Sequence, residues 1–297
     1  MKTVIEAKHL TKVFGNYKAI DDISFEIEEN KIYGLLGRNG AGKTTIMHMI
    51  TAQLFKTSGE LLVFGEDPYE NNRVLRQICF IKESQKYPDN FKVVDVLETA
   101  ALFFPQWDSA YARELVAEFK LPLKRRVKKL SRGMLSAVGI IVGLASRAPI
   151  TIFDEPYLGL DAVARTIFYD RLMEDYALHP RTVILSTHLI DEVSRLLEHI
   201  IVINEGKLLL NEEADSLRGR AYTVTGPIAK IESYTANKKI IHSEGMGGYR
   251  SATIYGSLVA SDQKTAEALG LDISTVTIQQ LIVYLTSNQV RKEVTLR

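Results

Sequence analysis

The clearest chemical signal in the sequence is the glycine-rich stretch GLLGRNGAGKTT, which covers 34–45. It matches the pattern G-x-x-x-x-G-K-[ST] at Gly37, Gly42, Lys43 and Thr44. Glycines let the backbone curl until its N–H groups point inward, and a helix that starts there adds partial positive charge. A lysine can then reach the β- and γ-phosphates of a nucleotide, while a threonine hydroxyl can bind Mg²⁺. The stretch therefore predicts nucleotide binding.

Two adjacent acids follow the apolar run in PITIFDEP, which covers 149–156. In an open α/β sheet, ligands bind outside the carboxyl ends of the strands, and Asp154 is expected at such an end. Asp154 could hold Mg²⁺, and Glu155 could orient and polarise a water molecule that attacks the γ-phosphate. The alternative is a strand that ends in two solvated acids, and it is the weaker interpretation because a phosphate loop lies upstream.

A histidine follows another apolar run, in VILSTHLIDEV at 183–193. A lone histidine is usually a satisfied core or surface residue, and that interpretation is open for His188. Its place directly after a strand of the same predicted sheet favours a contact with the γ-phosphate.

The elements that must position these groups are short apolar runs followed by loops and helices. KIYGLL at 31–36 has the length of a buried strand, and TIMHMITAQL at 45–54 has a helical pattern. Ile150–Phe153 predicts a further strand. Strands that alternate with helices are typical of α/β proteins, and we therefore predict that fold class.

The stretch LSRGMLSAVGI at 130–140 predicts a helix that begins after Ser131, a good N-cap residue. Its next turns carry almost no charge, which is typical of a buried helix. A helix N-terminus also offers free N–H groups and the positive end of its dipole to an anion. The residues alone leave both interpretations open.

The composition narrows the class of protein. Of 297 residues, 46% are hydrophobic and 25% are charged, as in ordinary globular proteins. The formal net charge of +1 gives no general reason to expect nucleic-acid binding. The single cysteine, Cys79, rules out an internal disulfide and fits a reducing compartment. No window approaches the roughly 18 apolar residues of a membrane span, so we expect a cytosolic chain that acts at a membrane only through another protein.

The phosphate loop, LSRGM, IFDEP, LGLD and STH together, in that order and at that spacing, resemble the nucleotide-binding subunits of ABC transporters. The resemblance covers roughly 1–215. It implies a P-loop NTPase of the ABC cassette type, with a mixed sheet core and a helical subdomain at about 84–147. It also implies an ATPase with ATP and Mg²⁺ as cofactors. The pattern is most similar to ABC-2 type ATPases of Gram-positive bacteria, including Ytr-type subunits and exporters of antibiotics or peptides.

The resemblance implies roles for individual residues. Glu155 matches the catalytic carboxylate, His188 matches the switch histidine, and Lys43 acts on the phosphates. Phe14, in KVFG, stands where the family has an aromatic residue that stacks on adenine, and a core Phe at a strand end is the alternative. The implied nucleotide-binding set is Phe14, Gly37, Arg38, Asn39, Gly40, Ala41, Gly42, Lys43, Thr44, Thr45, Ser131, Gly133 and Asp161, and the implied metal ligands are Thr44, Glu83 and Asp154.

The LSRGM stretch matches the family signature, commonly LSGGQ, which binds the γ-phosphate of ATP held by another subunit. Ser131 and Gly133 are the matching positions, and Asp161 ends the LGLD loop that resembles the coupling loop of a dimer. The sequence departs from the signature at Arg132 and Met134. Arg132 either adds a cation near the phosphates or faces solvent, and the sequence does not decide between these.

A second departure lies in ICFIKES at 78–84, where the family usually has Gln and this chain has Glu83. A carboxylate can also bind Mg²⁺, but an ionised carboxylate cannot donate a hydrogen bond. The alternative interpretation of Glu83 is a surface residue that binds no ligand.

The expected partners are a second cassette, either the same chain or a different one, and an integral-membrane permease. The resemblance places the chain in the cytoplasm, peripheral on the inner face of the cell membrane, with no nucleic acid expected. Several aromatic residues of the helical subdomain, among them Phe103 and Trp107, could form an apolar patch for the permease. The alternative function is a soluble ABC ATPase that acts on ribosomes or DNA. A single cassette without a long coiled coil disfavours it.

The chain continues beyond the cassette, which we expect to span 1–216. The remaining 217–297 predicts a small α+β accessory domain with strands in AYTVT, KKIIHSEG and SATIYG. Helical patterns follow in GPIAKIESYTA, SDQKTAEALG and TIQQLIVYLTS, and clustered glycines indicate a hairpin. The segment carries no chemical motif, so its role is left open.

Overall fold

The chain folds into two compact units in a computed structural model that describes residues 2–83 and 85–295. The chain leaves the first unit directly after His188 and returns to it at Leu196. The two units comprise Met1–His188 with Leu196–Asn211, and Leu189–Arg195 with Glu212–Arg297.

The first nine strands form two sheets, and the larger of them carries the phosphate loop and the acids. A three-stranded antiparallel sheet has the order β2-β1-β4, and a six-stranded sheet has the order β5-β6-β7-β3-β8-β9. In chain order these strands are β1 (Thr3–Phe14), β2 (Tyr17–Glu28), β3 (Ile32–Leu36), β4 (Ser58–Val63), β5 (Ile78–Ile81), β6 (Ile150–Asp154), β7 (Thr182–Thr187), β8 (His199–Asn204) and β9 (Lys207–Glu213).

The middle strands of the larger sheet are buried along their whole length. Every residue of β3, β6 and β7 is buried, as expected for parallel strands covered on both faces, which read as continuous apolar runs. The parallel register pairs Leu36 with Thr187 and Asp154 with Ser186. The carboxyl ends of these three strands therefore lie at one edge of the sheet, as the sequence predicted.

Helices follow most of these strands. The helices that precede residue 218 are α1 (Lys43–Ile50), α2 (Asn72–Leu75), α3 (Val93–Phe103), α4 (Ser109–Glu118), α5 (Arg132–Ser146), α6 (Ala162–Leu178), α7 (Ile190–Val193) and α8 (Ala214–Leu217). Helices α3, α4 and α5 lie in the range predicted for the helical subdomain. A short 3₁₀ turn, Val127–Lys129, precedes α5.

Helix α5 shows why its sequence is rich in small residues. It is buried continuously from Ala137 to Ser146, which confirms the prediction of a buried helix for this part of the stretch. A Cβ atom on Gly143 would lie 2.4 Å from Cε1 of Phe153, and one on Gly139 would lie 2.9 Å from Cγ2 of Ile81. The glycines thus let the helix backbone pack closely against β5 and β6.

The second unit has a sheet of its own in the order β11-β12-β10-β13, with antiparallel pairing throughout. Its strand and helix order is the βαββαβ arrangement of ferredoxin-like domains. Buried side chains such as Val224, Ile231 and Ile254 form its core. The remaining elements are β10 (Ala221–Pro227), α9 (Ile228–Thr235), β11 (Ile240–Met246), β12 (Tyr249–Tyr255), α10 (Ala260–Leu269), β13 (Asp272–Thr275) and α11 (Ile278–Thr295).

The predicted domain boundary after residue 216 stays a prediction. The two compact units instead divide after Asn211, and the second unit also includes Leu189–Arg195. Leu189–Arg195 belongs to the second unit, where the Asp191 amide donates to Oε1 of Gln279 at 3.3 Å. Within the described residues, no helix combines the length and the apolar character that crossing a membrane requires.

Candidate active site

The phosphate loop connects β3 to α1 and depends on glycines with positive φ. Gly37, Gly40 and Gly42 have φ values of 152°, 80° and 112°, a region that other residues rarely adopt. A Cβ on Gly37 would lie 2.2 Å from the carbonyl oxygen of Ile203, and one on Gly42 would lie 2.8 Å from that of Ala19. Side chains at these two positions would therefore force the loop open.

Lys43 places a buried cation at this loop. Its Nζ donates to the carbonyl oxygens of Gly37 at 2.8 Å and Arg38 at 3.3 Å, and the residue is 6% exposed. Burial lowers the pKa of Lys43, and the nearby carboxylates of Glu155 and Asp154 oppose that effect. The ammonium thus lies between the loop backbone and the two acids.

The predicted metal residues Thr44 and Asp154 lie in contact. Thr44 Oγ1 donates to Oδ2 of Asp154 at 2.9 Å, which joins the first turn of α1 to the end of β6. Asp154 is 4% exposed. Among the described residues, no group of three His, Cys, Asp or Glu side chains could hold a metal ion unaided. A cation here would therefore need phosphate or water oxygens to complete its coordination.

One cavity of about 360 Å³ contains most of the predicted nucleotide-binding residues. Arg38 lines a neighbouring, larger cavity of about 680 Å³ together with His188. Of the described residues, those lining the first cavity are Phe14, Tyr17, Ala19, Asn39, Gly40, Ala41, Gly42, Lys43, Thr44, Thr45, Glu83, Asp154 and Glu155. Ser131, Gly133 and Asp161 do not line it.

Phe14 is not a core residue, contrary to the alternative interpretation of its sequence position. It is 47% exposed, and the ammonium of Lys12 lies 4.8 Å from its ring centroid. A second exposed aromatic residue, Tyr17, lies in the same cavity, and its hydroxyl reaches the carbonyl of Gly40 at 3.5 Å. Tyr17 was not predicted as a site residue, although its place three positions after Phe14, at the start of the next strand, is a pattern that could have indicated it.

Two of the residues that depart from the family pattern, Arg132 and Glu83, contact each other. Arg132 Nη2 lies 3.5 Å from Oε1 of Glu83, and both side chains are substantially exposed. The structure thus shows Arg132 at the Glu83 carboxylate and partly in solvent. An exposed pair at this distance stabilises the fold by well under about 1 kcal/mol.

Glu155 and His188 meet at the edge of the sheet through a tyrosine. Oε2 of Glu155 lies 2.9 Å from Nδ1 of His188 and is also hydrogen-bonded by the hydroxyl of Tyr157. The Tyr157 oxygen in turn lies 3.0 Å from Nδ1 of His188 and 3.0 Å from Oγ1 of Thr187. Burial raises the pKa of Glu155, while His188 and Lys43 oppose the rise. A buried carboxylate of this kind is suited to accept a proton.

The predicted signature residues lie at the exposed start of α5. Ser131 is the N-cap residue, and its Oγ accepts a hydrogen bond from the Met134 amide at 3.2 Å. A Cβ on Gly133 would lie 2.4 Å from the carbonyl oxygen of Gly159. Gly133 therefore lets the LGLD loop pack directly on the start of this helix.

Asp161 ends the LGLD loop as the N-cap residue of α6. Its Oδ1 accepts from the Ala164 amide at 2.8 Å. Ser136 Oγ also donates to the carbonyl of Leu158 at 2.6 Å, so the loop and the start of α5 form one connected surface.

Comparison with known proteins decides the family. The family model described as ABC transporter matches residues 20–158. The bacitracin transport ATP-binding protein BcrA of Bacillus licheniformis is 33% identical over 224 residues, which are 74% of this chain and 73% of that protein. The chain belongs to the ABC transporter ATP-binding family.

Two further cassettes are similar to this one. The ABC transporter ATP-binding protein YtrB of Bacillus subtilis (strain 168) is 26% identical over 215 residues, which are 72% of this chain and 74% of that protein. A solved ATP-binding subunit of an ABC transporter has a TM-score of 0.66 and 25% identity over 72% of this chain and 91% of that one. The predicted ABC cassette fold and the resemblance to Ytr-type and antibiotic-transport subunits are confirmed.

Family membership also establishes the activity class. The cassette is an ATP-binding ATPase of the ABC transporter type, which makes it the motor subunit of a membrane transporter. The roles of the individual site residues stay predictions.

Tyr157 is the part of the site that no sequence pattern indicated. A tyrosine two residues after an acid, in a loop, is ordinarily an unremarked aromatic side chain. Its position depends on the turn at Glu155, whose φ of 49° is uncommon for a residue other than glycine. No local pattern predicts that conformation, so the contact with His188 could not be foreseen.

Proposed function

We propose that this cassette is the motor of an exporter, which binds MgATP between its phosphate loop and the signature of a second cassette. Hydrolysis there would drive a separate permease. The observation that supports this most strongly is the convergence of Lys43, Thr44, Asp154 and Glu155 on one cavity at the carboxyl edge of the sheet. The Lys43 cation suits a phosphate, the Thr44 hydroxyl and the Asp154 carboxylate suit a metal ion, and the Glu155 carboxylate suits a water molecule.

The residues present fit a magnesium ion. Thr44 Oγ1 and Asp154 Oδ2 are adjacent oxygen atoms, and Glu83 lines the same cavity. Mg²⁺ prefers a small number of protein oxygens together with phosphate and water. When bound, the ion supplies positive charge that neutralises the β- and γ-phosphates. We therefore assign Thr44 and Asp154 as its principal protein ligands, with Glu83 as an additional carboxylate.

Glu155 is proposed as the general base. Its carboxyl group is buried next to Asp154, and one of its oxygens is held by His188 and Tyr157. The other oxygen can accept a hydrogen bond from water at the cavity. Polarisation of that water, with Lys43 on the phosphates, is the contribution we assign to Glu155. His188 is assigned to position Glu155 and to contact the γ-phosphate.

The second half of the site is proposed to come from another cassette. The start of α5 is exposed at Ser131 and Arg132, and its first N–H groups and helix dipole favour an anion. Ser131 and Gly133 do not line the cavity of their own phosphate loop. A partner chain's nucleotide would supply the missing anion, and Asp161 would lie at the contact between chains.

The permease is proposed to dock on the helical subdomain and to hold the cassette at the inner face of the membrane. Leu102 and Phe103, at the end of α3, are 86% and 69% exposed, which fits an apolar contact surface. The names of the relatives favour an antibiotic or other amphipathic peptide as the cargo. The cargo's path would belong to the permease.

Isolation of the native complex tests this proposal. The tagged chain is purified from detergent-solubilised membranes and, separately, from ribosome and nucleoid fractions of the same cells. We expect a stable complex with a multi-spanning membrane protein, whose vesicle-reconstituted form moves an amphipathic peptide in an ATP-dependent manner. Cosedimentation with ribosomes or DNA, and no membrane partner, would show that the transport assignment is wrong.

A further inference from the structure

The hydroxyl of Tyr157 lies at the centre of a four-membered hydrogen-bond network. Its oxygen is 3.1 Å from the backbone N of His188, 3.0 Å from Nδ1 of the same residue and 3.0 Å from Oγ1 of Thr187. It also bonds to Oε2 of Glu155. Tyr157 is 4% exposed, so these groups have little access to water as an alternative partner.

The number of hydrogen bonds that a phenol can donate and accept determines which group is the donor in each bond of Tyr157. A phenol has one proton to donate and can accept from two donors. The His188 amide can only donate, and the Thr187 hydroxyl donates to the same oxygen. With both acceptor positions used, the phenol proton goes to the strongest acceptor within reach, the carboxylate of Glu155.

The limited number of acceptor positions on the Tyr157 oxygen also determines the tautomer of His188. Because the Tyr157 oxygen has no acceptor position left, Nδ1 of His188 finds its acceptor in Oε2 of Glu155 at 2.9 Å. Nδ1 therefore carries a proton, and Nε2 is directed away from the carboxylate. The imidazole is about half exposed, so Nε2 can reach a ligand at the site.

Backbone hydrogen bonds and a ring contact hold Tyr157 in this place. Its carbonyl accepts from the Leu160 amide at 3.0 Å, and the Leu158 amide donates to the carbonyl of Glu155 at 3.2 Å. The rings of Tyr157 and His188 pack edge to face with their centroids 5.6 Å apart. A phenol that is buried and held in this way can orient the Glu155 carboxylate to which it donates.

We propose that Tyr157 is a positioning residue for hydrolysis. It holds Oε2 of Glu155 together with His188, so that Oε1 alone is presented to the attacking water, and it fixes the tautomer of His188. This inference rests on the proposed role of Glu155 as the base. Tyr157 does not line the cavity with the phosphate loop, so it should affect the rate of the chemical step and leave ATP binding almost unchanged.

Steady-state ATPase kinetics of Tyr157→Phe test the proposal. The substitution keeps the ring and removes only the oxygen. We expect kcat to fall by about 10- to 100-fold, since a misplaced base loses part of its catalytic effect, while KM for ATP changes by less than about twofold. The matched control is Tyr111→Phe. Tyr111 lies in α4, and its hydroxyl donates to the backbone carbonyl of Arg171 in α6. The control should retain the wild-type kcat.

Two further variants separate the possible failures. Glu155→Gln should lower kcat by at least about 100-fold, and the addition of Tyr157→Phe to it should lower the residual kcat no further, because the phenol acts through the carboxylate. If Tyr157→Phe keeps the wild-type kcat while Glu155→Gln does not, the positioning role is wrong and the base assignment stands. If Glu155→Gln keeps turnover, the base assignment itself is wrong. If the thermal transition of Tyr157→Phe shows that it does not fold, Thr187→Val replaces it. Loss of the Thr187 donor frees an acceptor position on the phenol oxygen, so Nδ1 of His188 can turn from Glu155 to Tyr157 and kcat should fall. An unchanged kcat in that variant contradicts the proposal.

Discussion

Thr44 Oγ1 donates a hydrogen bond to Oδ2 of Asp154 at 2.9 Å, although 110 positions separate the two residues along the chain. The parallel register of β3, β7 and β6 brings them together, because the carboxyl ends of these strands lie at one edge of the sheet. Around this contact lie the buried cation of Lys43 and the carboxylate of Glu155.

Replacement of Lys43 tests its role in nucleotide binding. Lys43→Ala removes a buried ammonium that lies against the phosphate loop, and a hydrogen bond to a charged group contributes about 1.5–3 kcal/mol. We expect the Kd for ATP, measured by isothermal titration calorimetry, to rise by at least about tenfold. Lys56→Ala is the control, since Lys56 pairs with the partly exposed Asp67. An unchanged Kd for Lys43→Ala would contradict the phosphate role.

The proposed metal ligand is tested by a magnesium titration. Asp154→Asn keeps the shape of the side chain and removes its charge, so the affinity for Mg²⁺ should fall. We expect the Mg²⁺ concentration for half-maximal ATP hydrolysis to rise by about tenfold or more, in line with the loss of about 1.4 kcal/mol of ion binding. Chelation with EDTA should abolish hydrolysis by the wild-type protein. Asp67→Asn, a change in a carboxylate outside the cavity, should leave the titration unaltered.

Cys79 should be chemically silent in the folded protein. Burial raises the pKa of its thiol to about 12, and the residue is 1% exposed. A raised pKa means that the thiol stays protonated through neutral and mildly alkaline pH, and the thiolate is the reactive form. A maleimide reagent at pH 7.5 should therefore label Cys79 only after denaturation, as judged by mass spectrometry. Rapid labelling of the native protein would contradict the burial of Cys79. If native Cys79 is not labelled, cysteines introduced at the signature can be labelled selectively.

The close packing of α5 predicts an effect of Gly143→Ala on stability. Alanine would favour the helix by about 1 kcal/mol, but its Cβ would lie 2.4 Å from a ring carbon of the fully buried Phe153. Overpacking of a core costs about 1–3 kcal/mol, so we expect a net loss and a lower Tm. Gly248→Ala is the control, because its Cβ would meet open space. A Tm for Gly143→Ala at or above that of the wild type would show that the helix can shift away.

The parts of the cassette whose structure depends on residues close together in the sequence were predictable. Continuous apolar runs predict buried parallel strands, and β3, β6 and β7 are such runs. The phosphate-loop pattern places glycines at Gly37 and Gly42, where the backbone has positive φ values. The acids at the end of β6 follow from the rule that ligands bind at the carboxyl edge. For these elements, the residue types and their spacing in the sequence predict both the local structure and the chemical role.

The remaining features depend on tertiary contacts. Strand β13 was missed because DIST is short, largely exposed and not apolar, and it pairs with β10 only within the folded sheet. The contact between Arg132 and Glu83 joins residues 49 positions apart through two flexible side chains. Tyr157 reaches His188 only because Glu155 adopts a positive φ. Sequence patterns carry no information on such side-chain and backbone choices.

The most direct test of the central claim is nucleotide retention by Glu155→Gln in the complex as isolated from membranes. Glutamine keeps the shape of the side chain but cannot accept a proton, so ATP should bind between the cassettes and persist. After incubation with radiolabelled MgATP and gel filtration, we predict that the nucleotide remains bound as ATP, with turnover reduced by at least about 100-fold. Retention should be lost when Ser131→Arg is added. Bound ADP together with near-normal turnover would contradict the account.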